Sequence, residues 1–201
     1  MMRSSLILVG GRAKRLDNME KALIPFRGKT IIEHIIDVLG GLSDEIILSI
    51  RDDYQKQILK GQVGNLTMAV DRYFDVGPLA GMLEGFKVVK GEYVFVTACD
   101  MPYLDAGIIQ LLFECARGHD AALPKWEDGR MEPLCAVYRT APMIREIEKA
   151  IKNGDRFILA PVFKLKDVIH VDMEKIRRID PELRIFVNIN TVEDMERLSE
   201  S

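Results

Sequence analysis

Short, continuous apolar runs alternate with segments whose apolar residues recur every three to four positions from the start of the chain to about residue 120. The runs 5 to 9, 45 to 50, 67 to 70 and 92 to 97 have the length and composition of strands buried on both faces. Helices are expected near 30 to 39, 53 to 60, 78 to 89 and 105 to 117. Thr30 with Glu33 three residues later forms a capping-box pattern that fixes one helix start. Such alternation is the mark of βαβ units around a largely parallel sheet. After 120 the texture changes. Ala121 to Pro124, a turn at Glu127, Asp128 and Gly129, and the run Met131 to Tyr138 read as a hairpin-like β excursion from the parallel core. A helix near 141 to 152 ends at Asn153 and Gly154, a left-handed stop. A last strand is expected over Arg184 to Ile189, followed by a helix capped by Thr191 with Asp194 at its third position. No internal repeat, low-complexity tract or linker interrupts the pattern, and the expected organisation is one domain over 1–201.

Length and charge narrow the classes. A chain of 201 residues buries roughly 70% of its unfolded surface without disulfide or metal staples. The net charge of −3 argues against broad nucleic-acid or membrane-surface binding. Cys99, Cys115 and Cys135 are an odd count at wide spacing, indicating neither a disulfide framework nor a zinc cluster. With few apolar residues before Gly10 there is no signal-like segment, and a reducing cytoplasm is the expected compartment.

The first strand empties into the run LILVGGRAKRLDNMEKALIP at 6 to 25. Gly10 and Gly11 let backbone approach a ligand without an intervening Cβ. Arg12, Lys14, Arg15 and Lys21 outnumber Asp17 and Glu20, leaving the loop positive in an acidic chain. An anion, and best a polyphosphate, fits such a loop; a tight strand-to-helix connection with solvated basic residues fits the same pattern. It is not a dinucleotide fingerprint, because Arg12 follows the glycine pair. Nor is it a Walker loop: Gly28, Lys29 and Thr30 mimic that motif's end, but Leu23 stands where its first glycine belongs.

Asp100 lies just past the carboxyl end of the run Tyr93 to Ala98, the edge at which open α/β sheets bind ligands. Beside phosphates, such a carboxylate is the expected ligand of Mg²⁺; it also suits a turn before Pro102. Asp71 follows another strand, and Gly77, Pro78 and Leu79 open the next helix, with proline at the position helices favour. His34, His119 and His170 have no obvious catalytic partners. Gly154, Asp155 and Arg156 suit an anion pocket or a simple helix stop, and Trp126 suits either packing or stacking on a flat ligand.

Leu8, Val9, Gly10, Gly11, Arg15, Leu16 and Lys21, with DVGPLAGM at 75 to 82, FVTACDMPYL at 95 to 104 and FVNINTVEDMERL at 186 to 198, occur in one order over nearly the whole chain. Together they resemble the nucleotidyltransferases of the molybdenum cofactor guanylyltransferase (MobA) type. Asp17, Val9 and Ser49 depart from that pattern. The resemblance implies an α/β fold, a Rossmann-like doubly wound mostly parallel sheet of the nucleotide-diphospho-sugar transferase type. It implies a nucleotide-binding part over about 1–105 and an acceptor-binding part over about 106–201. The implied reaction transfers GMP from GTP to molybdenum-bound molybdopterin, giving molybdopterin guanine dinucleotide and pyrophosphate with Mg²⁺ as cofactor. The pterin would be delivered by a cofactor-synthesis protein or an apo-molybdoenzyme, with no nucleic-acid or membrane partner.

By that resemblance Arg15, Lys21 and Asp100 are catalytic, and Asp100 holds the metal. Leu8, Val9, Gly10, Gly11, Lys21, Asp71, Gly77, Pro78, Leu79 and Asp100 bind nucleotide, with Asp71 on the ribose or the base. Arg156, Asn188 and Asn190 face the acceptor. Two other readings stay open: cytidylyl or other nucleotidyl transfer to a phosphate acceptor, and a noncatalytic nucleotide-binding protein of the same fold.

Overall fold

The computed structural model describes residues 2–10, 12–13, 19–72, 77–190 and 194. The strands in chain order are β1 (Arg3–Leu8), β2 (Arg12–Ala13), β3 (Met19–Glu20), β4 (Pro25–Phe26), β5 (Lys29–Thr30), β6 (Glu45–Ile50), β7 (Thr67–Val70), β8 (Tyr93–Ala98), β9 (Ala121–Lys125), β10 (Cys135–Arg139) and β11 (Val168–Asp172). The helices are α1 (Ile31–Gly40), α2 (Asp53–Val63), α3 (Pro78–Val88), α4 (Ala106–Ala116), α5 (Thr140–Lys152), α6 (Leu159–Val162) and α7 (Met173–Arg177). Seven strands form one sheet in the order β11-β9-β10-β8-β1-β6-β7. The pairs β1 with β6, β1 with β8, β6 with β7 and β9 with β11 are parallel, and β10 runs against both neighbours.

The central strands β1, β6 and β8 are largely apolar because both faces of the sheet are covered there. Ile7 and Phe95 point into one cluster with Ile31, Ile35, Leu59 and Ile108 of α1, α2 and α4. Their neighbours Leu6, Val94 and Val96 point the other way, against Leu83 and Phe86 of α3 and Met143 and Ile147 of α5. This two-sided burial is the doubly wound arrangement that continuous apolar runs predict. Small residues set the spacing of the second layer. A Cβ on Gly85 of α3 would stand 2.4 Å from Leu6 Cδ1 and 2.7 Å from Cδ2, so α3 lies directly on the central strand.

Local chemistry explains the starts and stops. The capping box at Thr30 is formed: the Thr30 side chain accepts from the Glu33 amide, and Glu33 accepts from the Thr30 backbone N–H at 2.7 Å. The tripeptide that mimics a Walker motif is spent on the β4–β5 turn and that cap, with Gly28 at φ 82°. Helix α5 stops as expected, Gly154 taking φ 83°.

Two expectations need correction. The segments after residue 120 do pair antiparallel, but β9 and β10 are integral to the sheet, with β10 inserted beside β8. The run Arg184 to Ile189 is not a strand. Leu183 is left-handed (φ 54°) and the Asp180 carboxylate accepts the Ile185 amide at 3.0 Å, which coils Arg184–Phe186 into a 3-10 turn. The outer strand is instead β11, whose alternating burial, with Val171 in the core and His170 and Asp172 exposed, is that of a sheet edge. The proposed cap Thr191 lies outside the described residues; Asp194 accepts from the Asn190 amide at 2.8 Å.

Candidate active site

The carboxyl ends of four parallel strands share one rim. One hydrogen bond beyond each ladder keeps the exits aligned: the Val9 amide donates to the Ser49 carbonyl at 2.8 Å, Cys99 to Leu8 at 3.1 Å and Asp71 to Ile50 at 2.8 Å. Because the chain leaves β1 for β6 on one side and β8 lies on the other, the rim opens at the point where strand order reverses. A cleft of about 610 Å³ opens there, in the size range of small-molecule sites. Leu8, Gly10, Lys21, Ser49, Asp71 and Asp100 are among the residues along it, with Gly77 and Pro78 on the facing wall.

Glycine has a different reason at each of two positions around this cleft. Gly77 carries φ 76° at the cap of α3, a left-handed conformation that side chains avoid, and Pro78 follows as the first helical residue. At Gly10 a Cβ would meet only Arg51, at 3.9 Å, an ordinary contact. The fold therefore tolerates a side chain at Gly10, and its absence leaves bare backbone facing the cleft. Gly81 approaches closely as well, since its Cβ would stand 2.6 Å from Ser49 Oγ.

Lys21 is the centre of charge. Its ammonium donates to Asp100 Oδ2 at 2.8 Å and to Asn190 Oδ1 at 2.7 Å. The Lys21 and Asp100 side chains are 13% and 19% exposed, so their attraction is only partly screened by water. Asn190 reaches them because the Ile189 amide donates to the Asp100 carbonyl at 2.9 Å, fastening the late segment to the end of β8. Cys99, beside Asp100, is fully buried; burial, reinforced by the Asp100 charge, pushes its thiol up to about 12, so it stays protonated and unreactive.

Of the residues singled out in the sequence, Lys21, Asp100 and Asn190 meet, and Leu8, Gly10, Asp71, Gly77 and Pro78 line the same cleft. The side chains of Val9 and Leu79 are elsewhere, buried on the two faces of the sheet. Arg156 and Asn188 are exposed; the Arg156 carbonyl lies 3.8 Å from where a Gly77 Cβ would stand. Gly11 and Arg15, like Lys14, Leu16 and Asp17, lie outside the described residues. Trp126 donates through Nε1 to Glu132 at 2.6 Å and packs against Phe186, its ring centroid 5.6 Å away, which is a structural arrangement.

Arg51 and Gln55 gave no sequence signal. The guanidinium of Arg51 holds Glu20 at 2.8 Å and Asp52 at 2.9 Å. Gln55 is completely buried, and its amide spans from the Val9 carbonyl at 2.8 Å to Glu20 at 2.6 Å. Only a buried glutamine at the start of α2 hints at this, and helix-surface periodicity conceals it.

The donor set bears on metal binding. Among the described residues no three His, Cys, Asp or Glu side chains converge, so no all-protein metal cage exists there. Gathered around the Lys21 ammonium are one carboxylate, Asp100, and one amide oxygen, Asn190. A hard cation that takes one or two carboxylates and fills its remaining positions with phosphate oxygens and water matches that set, as Mg²⁺ does.

Comparison with known proteins places the chain among nucleotidyltransferases. The family model of the MobA-like NTP transferase domain matches residues 5–168. A protein of Methanosarcina mazei named probable molybdenum cofactor guanylyltransferase is 47% identical over 98% of this chain and 89% of its own length. Its counterpart in Methanosarcina acetivorans is 48% identical over the same shares. The crystal structure of molybdopterin-guanine dinucleotide biosynthesis protein A from Archaeoglobus fulgidus superposes with a TM-score of 0.83 at 31% identity, covering 98% of this chain and 97% of that one.

Proposed function

The chain belongs to the MobA-like NTP transferase family, and on that premise we propose that its cleft transfers GMP from GTP to the terminal phosphate of molybdenum-bound molybdopterin. A phosphate oxygen of the acceptor attacks the α-phosphorus of GTP, the bond to the bridging oxygen breaks, and pyrophosphate leaves with the electron pair. The observation that carries this reading is the Lys21 ammonium held at 2.8 Å from Asp100 and 2.7 Å from Asn190, beside the open backbone of Gly10.

The chemistry needs little from side-chain acids and bases. A phosphomonoester has its second pKa near about 6, so the acceptor is already largely dianionic at neutral pH and needs no general base. The protonated Cys99 agrees with that, as does a cleft lined, among the described residues, by no histidine. What remains is to bring two anions together, align them in line and spread the charge that builds on the leaving pyrophosphate. Lys21 supplies a point charge for the triphosphate, and Arg15 by resemblance supplies a planar, bidentate one. Asp100, with Asn190 beside it, would hold Mg²⁺, which when bound neutralises charge on the phosphate oxygens. Leu8, Val9, Gly10, Gly77, Pro78 and Leu79 are assigned to the nucleotide wall by side chain or backbone, and Gly11 by resemblance, with Asp71 accepting from ribose hydroxyls or guanine N–H groups. Arg156, Asn188 and Asn190 are assigned to the acceptor, which a cofactor-synthesis protein or an apo-molybdoenzyme would deliver. No described helix is long and apolar enough to cross a membrane.

The test is pyrophosphate release by the purified protein with Mg²⁺, a molybdopterin-loaded acceptor and each of the four nucleoside triphosphates in turn. Release with GTP is expected. Preference for CTP would move the assignment to cytidylyl transfer, and binding of GTP without release under any condition would identify a noncatalytic nucleotide-binding protein.

A further inference from the structure

Three chain segments meet behind the phosphate side of the cleft, and one residue touches all of them. Gln55, in the first turn of α2, has no exposed surface and does not reach the cleft. Its Nε2 donates to the Val9 carbonyl at 2.8 Å, at the mouth of the glycine loop, and to Glu20 Oε2 at 2.6 Å. Its Oε1 accepts from the Arg51 backbone amide at 2.7 Å, at the end of β6. Both amide protons and the carbonyl are therefore engaged, and only an amide supplies that combination at this length. Glu20 directly precedes Lys21, and its other oxygen takes Arg51 at 2.8 Å. The same guanidinium donates to Asp52 at 2.9 Å and to the Gly10 carbonyl at 3.4 Å.

A buried amide costs free energy unless each polar atom is paired, so three short bonds on one glutamine side chain mark a fixed junction. We infer that Gln55 is a positioning residue of the nucleotide site, acting through Glu20 and the Val9 carbonyl to set where Lys21 and the glycine loop present themselves to the triphosphate. Glu20 and Arg51 are the intermediaries. Glu20 is part of the linkage that holds Lys21 in register, and both its oxygens are occupied, one by the Arg51 guanidinium, which offsets its charge, and one by the Gln55 amide. This rests on the GMP-transfer reading for what the triphosphate does next, but binding of GTP alone reads it out.

The experiment compares the wild-type protein with Gln55→Met, which keeps volume and removes all polar atoms, and with Glu20→Gln, which keeps shape and places a second amide against the first. GTP affinity is measured by titration calorimetry, inhibition by guanosine reports the base and ribose side alone, and steady-state kinetics give KM for GTP and for the acceptor. A displacement of about 1 Å of groups around the reacting phosphates costs up to ~100-fold in turnover. The expected result is a fall of about 10-fold or more in GTP affinity and in kcat/KM for GTP, with guanosine inhibition and acceptor KM unchanged. A lowered melting temperature with GTP affinity and kcat/KM at wild-type levels, or equal losses for guanosine and GTP, would overturn the inference. If Gln55→Met does not fold, Glu20→Gln decides by the same measurements. A wild-type protein that binds GTP but transfers nothing would refute the proposed reaction and leave the positioning role standing or falling on GTP affinity alone.

Discussion

Gly85→Ala tests whether the packing of α3 on β1 is what sets the nucleotide wall. The new Cβ would lie 2.4 Å from Leu6 Cδ1, 2.7 Å from Cδ2 and 3.1 Å from Cγ, and Leu6 is fully buried. Carbon atoms rest at about 3.5–4.0 Å, so the contact is short by about 1 Å and the helix must back away. Overpacking of this kind costs about 1–3 kcal/mol, against a gain of about 1 kcal/mol from replacing a helical glycine by alanine. Net destabilisation of up to about 2 kcal/mol corresponds to a melting temperature lower by roughly 4–8 °C in a chain of this size. Gly77 and Pro78 ride on the same helix, so the displacement carries to the cleft. KM for GTP should rise together with the loss of stability. In the background of Leu6→Ala, which removes the three atoms it meets, Gly85→Ala should become neutral or stabilising, a coupling of at least about 1 kcal/mol in a double-mutant cycle. Calorimetric melting of the four proteins and their GTP kinetics form the assay. A Gly85→Ala protein that melts at or above the wild-type temperature with unchanged KM would refute the reasoning.

Other perturbations separate chemistry from scaffold. Lys21→Ala should lower turnover by about 100- to 1,000-fold, as removal of a donor aimed at developing negative charge does, and Asp100→Ala should lower it through loss of the carboxylate assigned to Mg²⁺, while circular dichroism stays close to wild type; full transfer activity in either protein would reject the assignment. Native protein treated with N-ethylmaleimide should be modified first at Cys115, since Cys99 and Cys135 are buried and their thiols pushed up; peptide mass mapping that finds Cys99 labelled first would contradict the burial. Hydrogen bonds from the Thr30 backbone and side chain hold the Glu33 carboxyl below its ordinary 4.5. Its contribution to stability is therefore complete above the unfolded value and lost as pH falls through the folded one, so Glu33→Gln should flatten the acid limb of the melting profile below about pH 4.5.

The parallel core was legible because strands buried on both faces must be apolar without alternation, and because Thr30, Glu33 and Gly154 obey local rules. What failed was non-local. Ile185 and Ile189 are apolar because they plug the core, not because they pair, and only Asp180 capturing the Ile185 amide shows that. β11 looked unremarkable since a sheet edge needs few apolar residues. In the site, Asp100 and Lys21 stood out because each follows a strand exit or a glycine pair. Gln55 did not, since a glutamine on a helix is ordinary until three distant segments are seen to close around it. Val9 and Leu79 belong to motif blocks yet send their side chains into the core, as neighbours in a strand or helix turn must face different ways.

The tie between Lys21 and Asn190 spans a sequence separation of 169 residues. All seven strands are complete by Asp172, well before Asn190 is reached. A growing polypeptide can thus acquire its whole sheet while the charged corner is still missing an oxygen. Removal of the last twelve residues, 190 to 201, should therefore leave every strand of the sheet in place and take away the oxygen that Asn190 offers to Lys21.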